Sequence, residues 1–134
     1  ESTAAAEDAE VEAQYAEAKA AYKRRANKEA RKLVDAILDG HPDHVPSLVL
    51  FSNLLIEEGE IDKALAPARR AALLDSEYPD VHLALGVIRQ ERGNLDGALD
   101  AYSRYLELDP KGQYASSIRR EVKRLQKRLA QKKG

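Results

Sequence analysis

The chain has 134 residues, enough for one domain that buries roughly two thirds of the surface its unfolded form exposes. Its 43% apolar and 5% aromatic content, dominated by Ala, Leu, Glu, Lys and Arg, favours helix over strand and reads as an all-α protein. A formal net charge of −1 argues against a chain built as a whole for nucleic acid or an anionic membrane, and the absence of Cys excludes disulfides, thiol catalysis and thiolate metal sites.

No apolar run approaches the roughly 20 residues of a membrane span. No basic and apolar leader stands at Glu1, and the lack of any Met reads as an excised or processed piece, which leaves room for targeting or membrane segments outside it. The compartment stays open: the cytoplasm is the expectation, and an extracytoplasmic location is compatible with the same composition.

Internal periodicity organises the elements. Ala30, Ala64 and Ala98 recur at intervals of 34, as do Pro42, Ser76 and Pro110, then Ala18, Ser52 and Gly86, while Gly59 and Gly93 are again 34 apart. The first predicted helix, near residues 4 to 24, carries a stripe of Val11, Tyr15, Ala18 and Tyr22 spaced 4, 3 and 4. The second, near 27 to 39, holds Ala30 and Ile37. Helices near 44 to 58 and 61 to 75 follow, separated at Gly59, where a reversal needs positive φ. Those near 79 to 92 and 95 to 108 repeat the pattern around Gly93, and Pro110 ends the last of them. In each pair a small residue on the first helix (Ser52, Gly86) is expected to meet one on the second (Ala64, Ala98). A seventh helix, near 112 to 130, carries Tyr114, Ile118, Val122, Leu125 and Leu129 at spacings of 4, 4, 3 and 4, one stripe suited to capping the stack. Residues 1 to 3 and 131 to 134 are expected to fray.

Residues 79 to 112, through His82, Leu85, Gly86, Gly93, Leu95, Ala98, Tyr102, Leu106 and Pro110, resemble a tetratricopeptide repeat. Residues 45 to 78 resemble it through Leu48, Phe51, Ser52, Gly59, Ile61, Ala64, Ala68 and Ala71, with Ser76 in place of the terminal proline. Residues 11 to 44 resemble it less, with Arg25 in place of the turn glycine and Gln14 and Glu17 at apolar places. The resemblance spans about three quarters of the chain. It implies one domain over residues 1 to 134, a right-handed superhelix of three helix-turn-helix units (11–44, 45–78, 79–112) plus a capping helix (112–130).

The family's ligands lie in a concave groove lined by the first helix of each unit. By resemblance this places Pro46, Val49, Asn53, Ile56 and Glu57 there from the middle unit, and Asp80, Leu83, Val87, Gln90 and Glu91 from the third. Val49, Ile56, Leu83 and Val87 would form an apolar strip facing water, with Phe51 and Leu85 turned to the core. An exposed strip of this kind points to a protein partner. Gapless register sends Tyr15 and Tyr22 to the groove; a one-residue shift, which Arg25 in place of glycine allows, sends them to the core. Family members that grip an acidic carboxyl-terminal peptide use basic or amide groups where this chain has Tyr15, Asp80 and Ala84.

Catalysis has little support. His41, His44 and His82 lack the spacing of a nucleophile, acid and base set. His41 and His44 across Pro42 are a weak metal signal, better read as a loop before a helix start. His82 reads as a packed histidine, and Gly86, Gly93 and Gly97 follow no strand, so neither an enzyme nor a cofactor is expected. Residues 1 to 18 carry six acids and no base. The other end carries Arg119, Arg120, Lys123, Arg124, Lys127 and Arg128, a basic patch that a solvated cap explains and that could also meet an acidic protein, lipid headgroups or nucleic acid. The leading expectation is an interaction scaffold that docks an apolar or amphipathic peptide or partner protein in the groove. The alternative is an anionic partner on the basic final helix. Nucleic acid and membrane binding are disfavoured, the latter except through regions outside this stretch; a homodimer stays open.

Overall fold

The computed structural model describes residues 2–133, in which every regular element is a helix. In chain order these are α1 (Ser2–Lys23), α2 (Asn27–Gly40), α3 (Val45–Glu57), α4 (Ile61–Leu74), α5 (Pro79–Glu91), α6 (Leu95–Leu108) and α7 (Ala115–Lys133). The predicted spans hold to within about three residues at each boundary. The ends expected to fray are helical over residues 2–3 and 131–133, and residues 1 and 134 lie outside the described residues.

Why the boundaries fall where they do is visible in the turns. Arg25, Gly59 and Gly93 all have positive φ, at 68°, 81° and 79°. Around them the same bond recurs at the repeat interval: the amides of Ala26, Glu60 and Asn94 donate to the carbonyls of Ala21, Leu55 and Arg89 at 2.9, 2.9 and 2.8 Å. Each closes the first helix of a pair with the six-to-one bond of a left-handed helix end. The loops between pairs match too, with His41, Asp75 and Asp109 amides donating to Ile37, Ala71 and Tyr105. Arg25 therefore occupies the glycine position without shifting the turn, and the first unit is in gapless register with the other two.

The pairs α1–α2, α3–α4 and α5–α6 are antiparallel, each helix also touches the next along the chain, and α1 meets α3 as α3 meets α5. The resulting all-α superhelix has the first helix of every unit on one side. Within a pair the small residues permit a close crossing: Ala18, Ala30, Ser52, Ala64 and Ala98 are fully buried, and the Ser52 hydroxyl donates to the Ala64 carbonyl at 2.9 Å. In the third unit the notch is filled differently from expectation. A Cβ on Gly86 would lie 2.3 Å from the Tyr102 ring, so the missing side chain of Gly86 is replaced by an aromatic ring one turn after Ala98.

The cap works as expected along most of its stripe. Leu125 is fully buried, and Ile118, Val122 and Leu129 pack with it against Leu95, Ala98 and Tyr102. Tyr114 is the exception: it precedes α7, is 45% exposed, and Ala115 takes the buried place beside it.

A non-glycine residue in the left-handed region carries a conformational cost that glycine avoids. Arg25→Gly should therefore raise the stability of the chain by up to about 1 kcal/mol, seen as a higher urea midpoint; a lower midpoint would mean that the Arg25 side chain contributes more than its backbone strain removes.

Candidate functional site

Gapless register settles the direction of the α1 side chains. Val11, Ala18 and Ala21 are buried between α1 and α2, while Tyr15 and Tyr22 turn to the inner side and line a cavity of about 290 Å³ with Lys19, Lys23, Asn53, Glu57 and Asp80. A second cavity of about 320 Å³ continues it along α5 and the start of α7, walled by Leu83, Val87, Ser117 and Ile118. The two share Tyr22, Asn53, Asp80 and Tyr114, so they form one groove across the inner faces of α1, α3, α5 and the α7 entry.

The expected groove residues divide. Asn53, Leu83 and Val87 line it. Val49 also reaches its wall, yet is only 4% exposed and belongs to the core between the second and third units. Ile56 packs on that core and lines neither cavity. Gln90 is committed elsewhere: its amide nitrogen donates to Glu121 at 2.8 Å, its oxygen accepts from the Tyr102 hydroxyl at 2.8 Å, and Glu121 takes a further bond from Arg124. This chain of bonds ties α5, α6 and α7 together. The expectation of an apolar strip facing water is thus corrected: Leu83 and Val87 are half covered by the apolar stripe of α7, and Val49 and Ile56 by their own unit and its neighbour.

Lys19, Lys23, Tyr114 and Ser117 line the groove without having been expected there, although the period contains them. Lys19 and Lys23 stand 34 residues before Asn53 and Glu57, and Tyr114 and Ser117 stand 34 after Asp80 and Leu83. The cap thus contributes to the groove as the opening of a fourth unit.

Charge and hydroxyl groups dominate the α1–α3 half of this surface, whereas the half along α5 and α7 is mainly apolar. The Tyr22 hydroxyl donates to Glu57, which also accepts from Asn27 at 3.1 Å. Burial, then the Tyr78 hydroxyl beside it, pushes the Tyr15 pKa well above the ordinary tyrosine value; burial and Glu57 do the same to Tyr22. Tyr102, behind the groove, is pushed up to about 12 by burial and by Glu121 and Glu91. These phenols remain neutral hydrogen-bond donors. Asp80 lies between the two cavities, and burial raises its pKa, opposed by Lys19 and assisted by Asp109.

Of the other singled-out residues, His44 holds the N-cap position of α3 without a side-chain bond to the backbone; its ring instead shares hydrogen bonds with Ser47 at 2.7 Å and Glu12 at 3.2 Å, and the Tyr15 ring meets it edge-on at 5.6 Å. It fixes α1 against the start of α3. His41 is exposed, and among the described residues no group of three or more His, Cys, Asp or Glu is placed to hold a metal. His82 is half-exposed instead of packed, its Nε2 donating to the Ser76 carbonyl at 2.8 Å. Of the basic patch on α7, Arg119 donates to the Pro110 carbonyl, Arg120 to Ser117 and Arg124 to Glu121. Arg119, Arg120, Lys123, Arg124, Lys127 and Arg128 all stay exposed.

Comparison with known proteins agrees with this architecture. The family model described as tetratricopeptide repeat matches residues 49–113. Protein CTR9 homolog of Arabidopsis thaliana is 35% identical over 75 residues, 55% of this chain, and the match spans only 7% of that much longer protein. The Sgt2 TPR domain from Aspergillus fumigatus superposes with a TM-score of 0.78 at 22% identity, covering 92% of this chain and 82% of that one. The first TPR of Spaghetti (RPAP3), bound to the HSP90 peptide SRMEEVD, gives 0.77 at 19% identity, covering 90% of this chain and 95% of that one.

The raised pKa of Asp80 sets a sign for stability. A carboxyl that binds its proton more tightly folded than unfolded loses stability as pH rises from its ordinary value of 3.8 through its folded pKa, and the loss persists above that. Asp80→Asn should therefore unfold at higher urea than the parent at neutral pH, with the gap closing below pH 3.8. An Asn variant less stable at neutral pH would show that the pull of the α5 N-terminus on the charge outweighs its burial.

Proposed function

We propose that this chain, which belongs to the tetratricopeptide repeat family, holds an amphipathic segment of a partner protein in the groove formed by α1, α3, α5 and the start of α7. Domains of this family are protein–protein interaction modules, and the RPAP3 domain is one with a peptide bound. The reading rests on one observation: the two cavities join across three units and the cap, with mixed walls. Leu83, Val87 and the rings of Tyr22 and Tyr114 offer apolar surface, while Lys19, Lys23, Asn53 and Asp80 offer charge and hydrogen bonds. A uniformly apolar segment would strand these polar groups, at a cost of about 1–3 kcal/mol for each one left unpaired. An acidic carboxyl-terminal tail fits poorly, because Asp80 and Tyr15 stand where such a tail needs basic or amide partners. The function is binding without a catalytic step. A stack whose backbone is already ordered loses little entropy on docking, so contacts appear as affinity.

The exposed basic face of α7 supports a second reading, an anionic partner held by Lys123, Lys127 and Arg128. Salt and mutation separate the two. Asn53→Ala with Tyr114→Ala removes one half-buried and one exposed groove contact and should keep the helical spectrum. In quantitative capture from the native source at about 0.15 M salt, this pair is expected to lose partner recovery at least tenfold, whereas Lys123→Glu with Lys127→Glu leaves it unchanged. Equal recovery by the groove pair would overturn the proposal, and loss by the lysine pair alone would transfer the function to α7.

A further inference from the structure

Away from the groove, the second unit departs from its neighbours on the outer side of α4. Leu73 is 88% exposed and Leu74 is 44% exposed in the last turn of that helix, whereas the positions 34 residues before and after Leu73 are Asp39 and Glu107. Arg69, one turn earlier, likewise stands where the other units have Asp35 and Ser103. A position that is acidic in both other units has become a large apolar side chain, and one that is Asp or Ser in them has become a cation.

Leu73 forms a wall of a cleft of about 610 Å³ between α4, α5 and the turn before α6, and the cleft shares no residue with the groove. Its accessible apolar surface comes from Leu65 and Ala72 beside Leu73, over a floor formed by the buried Leu85 and Ile88, and every charged residue lining it is an arginine: Arg69, Arg89 and Arg92. The Arg89 guanidinium is fixed by donating to the Gly97 carbonyl at 3.1 Å. Arg92 stands 3.7 Å from Asp62, which is itself largely in solvent. Arg69 makes no ion pair among the described residues. An apolar floor with a rim of planar guanidinium groups complements a surface in which large apolar side chains are flanked by carboxylates, since arginine pairs with carboxylate in a two-pronged geometry that lysine cannot match.

We propose that this cleft is a second docking surface, which takes an acidic amphipathic helix of a partner protein with its apolar side chains against Leu65, Ala72 and Leu73 and its carboxylates on Arg69 and Arg92. A second copy of this chain fits less well. Its exposed acidic helix over residues 3–10 supplies Glu7, Asp8 and Glu10 but otherwise only Thr3 and alanines, with no large apolar side chain to fill the cleft.

The probe is a labelled helical peptide with leucines at i, i+4 and i+7 flanked by glutamates, read by fluorescence anisotropy against the full chain, beside a counterpart with lysines in place of the glutamates. The acidic peptide should bind, weaken at least tenfold with Leu73→Ser and with Arg69→Glu, and keep its affinity with the Asn53→Ala and Tyr114→Ala groove pair; the lysine peptide should not bind. Leu73 is exposed enough that its variant retains the fold, which circular dichroism verifies. The proposal is overturned by no binding of the acidic peptide, by equal binding of the lysine peptide, by indifference to Leu73→Ser, or by loss only in the groove pair. Sedimentation showing a dimer that Leu73→Ser dissociates would replace the partner helix with a second copy and overturn the assigned occupant.

Discussion

The distance at which the two helices of a unit cross governs everything built on them. At Ser52 and Ala64 that distance is short enough for a side-chain hydroxyl to reach the backbone carbonyl of the opposing helix at 2.9 Å, and no larger residue leaves that space. Ala18 with Ala30 repeats the small pair in the first unit, and in the third Gly86 yields its space to the Tyr102 ring. Because protein interiors are close-packed, a fixed crossing in each unit fixes the next unit against it. The groove inherits its shape from that succession, as the inner faces of α1, α3 and α5 are held at a set separation by the helices packed behind them.

Much of this was legible in the sequence because the same physical demand recurs every 34 residues. Positive φ at the end of each first helix marked Gly59 and Gly93, and small residues marked the crossings. Arg25 obscured the first turn, since its side chain carries no sign that the backbone is left-handed, and with it the direction of Tyr15 and Tyr22. The fate of Val49 was hidden for another reason. Its position in the repeat faces inward, but how much water reaches it depends on the neighbouring unit, which local periodicity does not report. Tyr114 misled through spacing: four residues before Ile118, it fits the apolar stripe, yet the repeat interval from Asp80 assigns it to the groove. When a local stripe and a long period disagree, the long period carries the tertiary information here.

The mixed character of the groove follows from the same register. Asp80, Lys19, Lys23 and Asn53 project into the inner side at equivalent places of the repeat, while Leu83 and Val87, half covered by α7, keep the far half apolar. The bonds from Tyr102 through Gln90 to Glu121 lock the cap in that position. A residue placed by resemblance in the groove thus serves to hold its wall.

The claim that the small-residue crossing determines the stack is tested most directly by urea unfolding of Ala64→Leu beside Ala66→Leu. Both alanines lie in α4, the first fully buried and the second exposed, so helix propensity changes alike in each. Ala64→Leu should lose about 1–3 kcal/mol or more from overpacking, whereas Ala66→Leu should stay within about 0.5 kcal/mol of the parent. Identical midpoints for the two variants would contradict the claim.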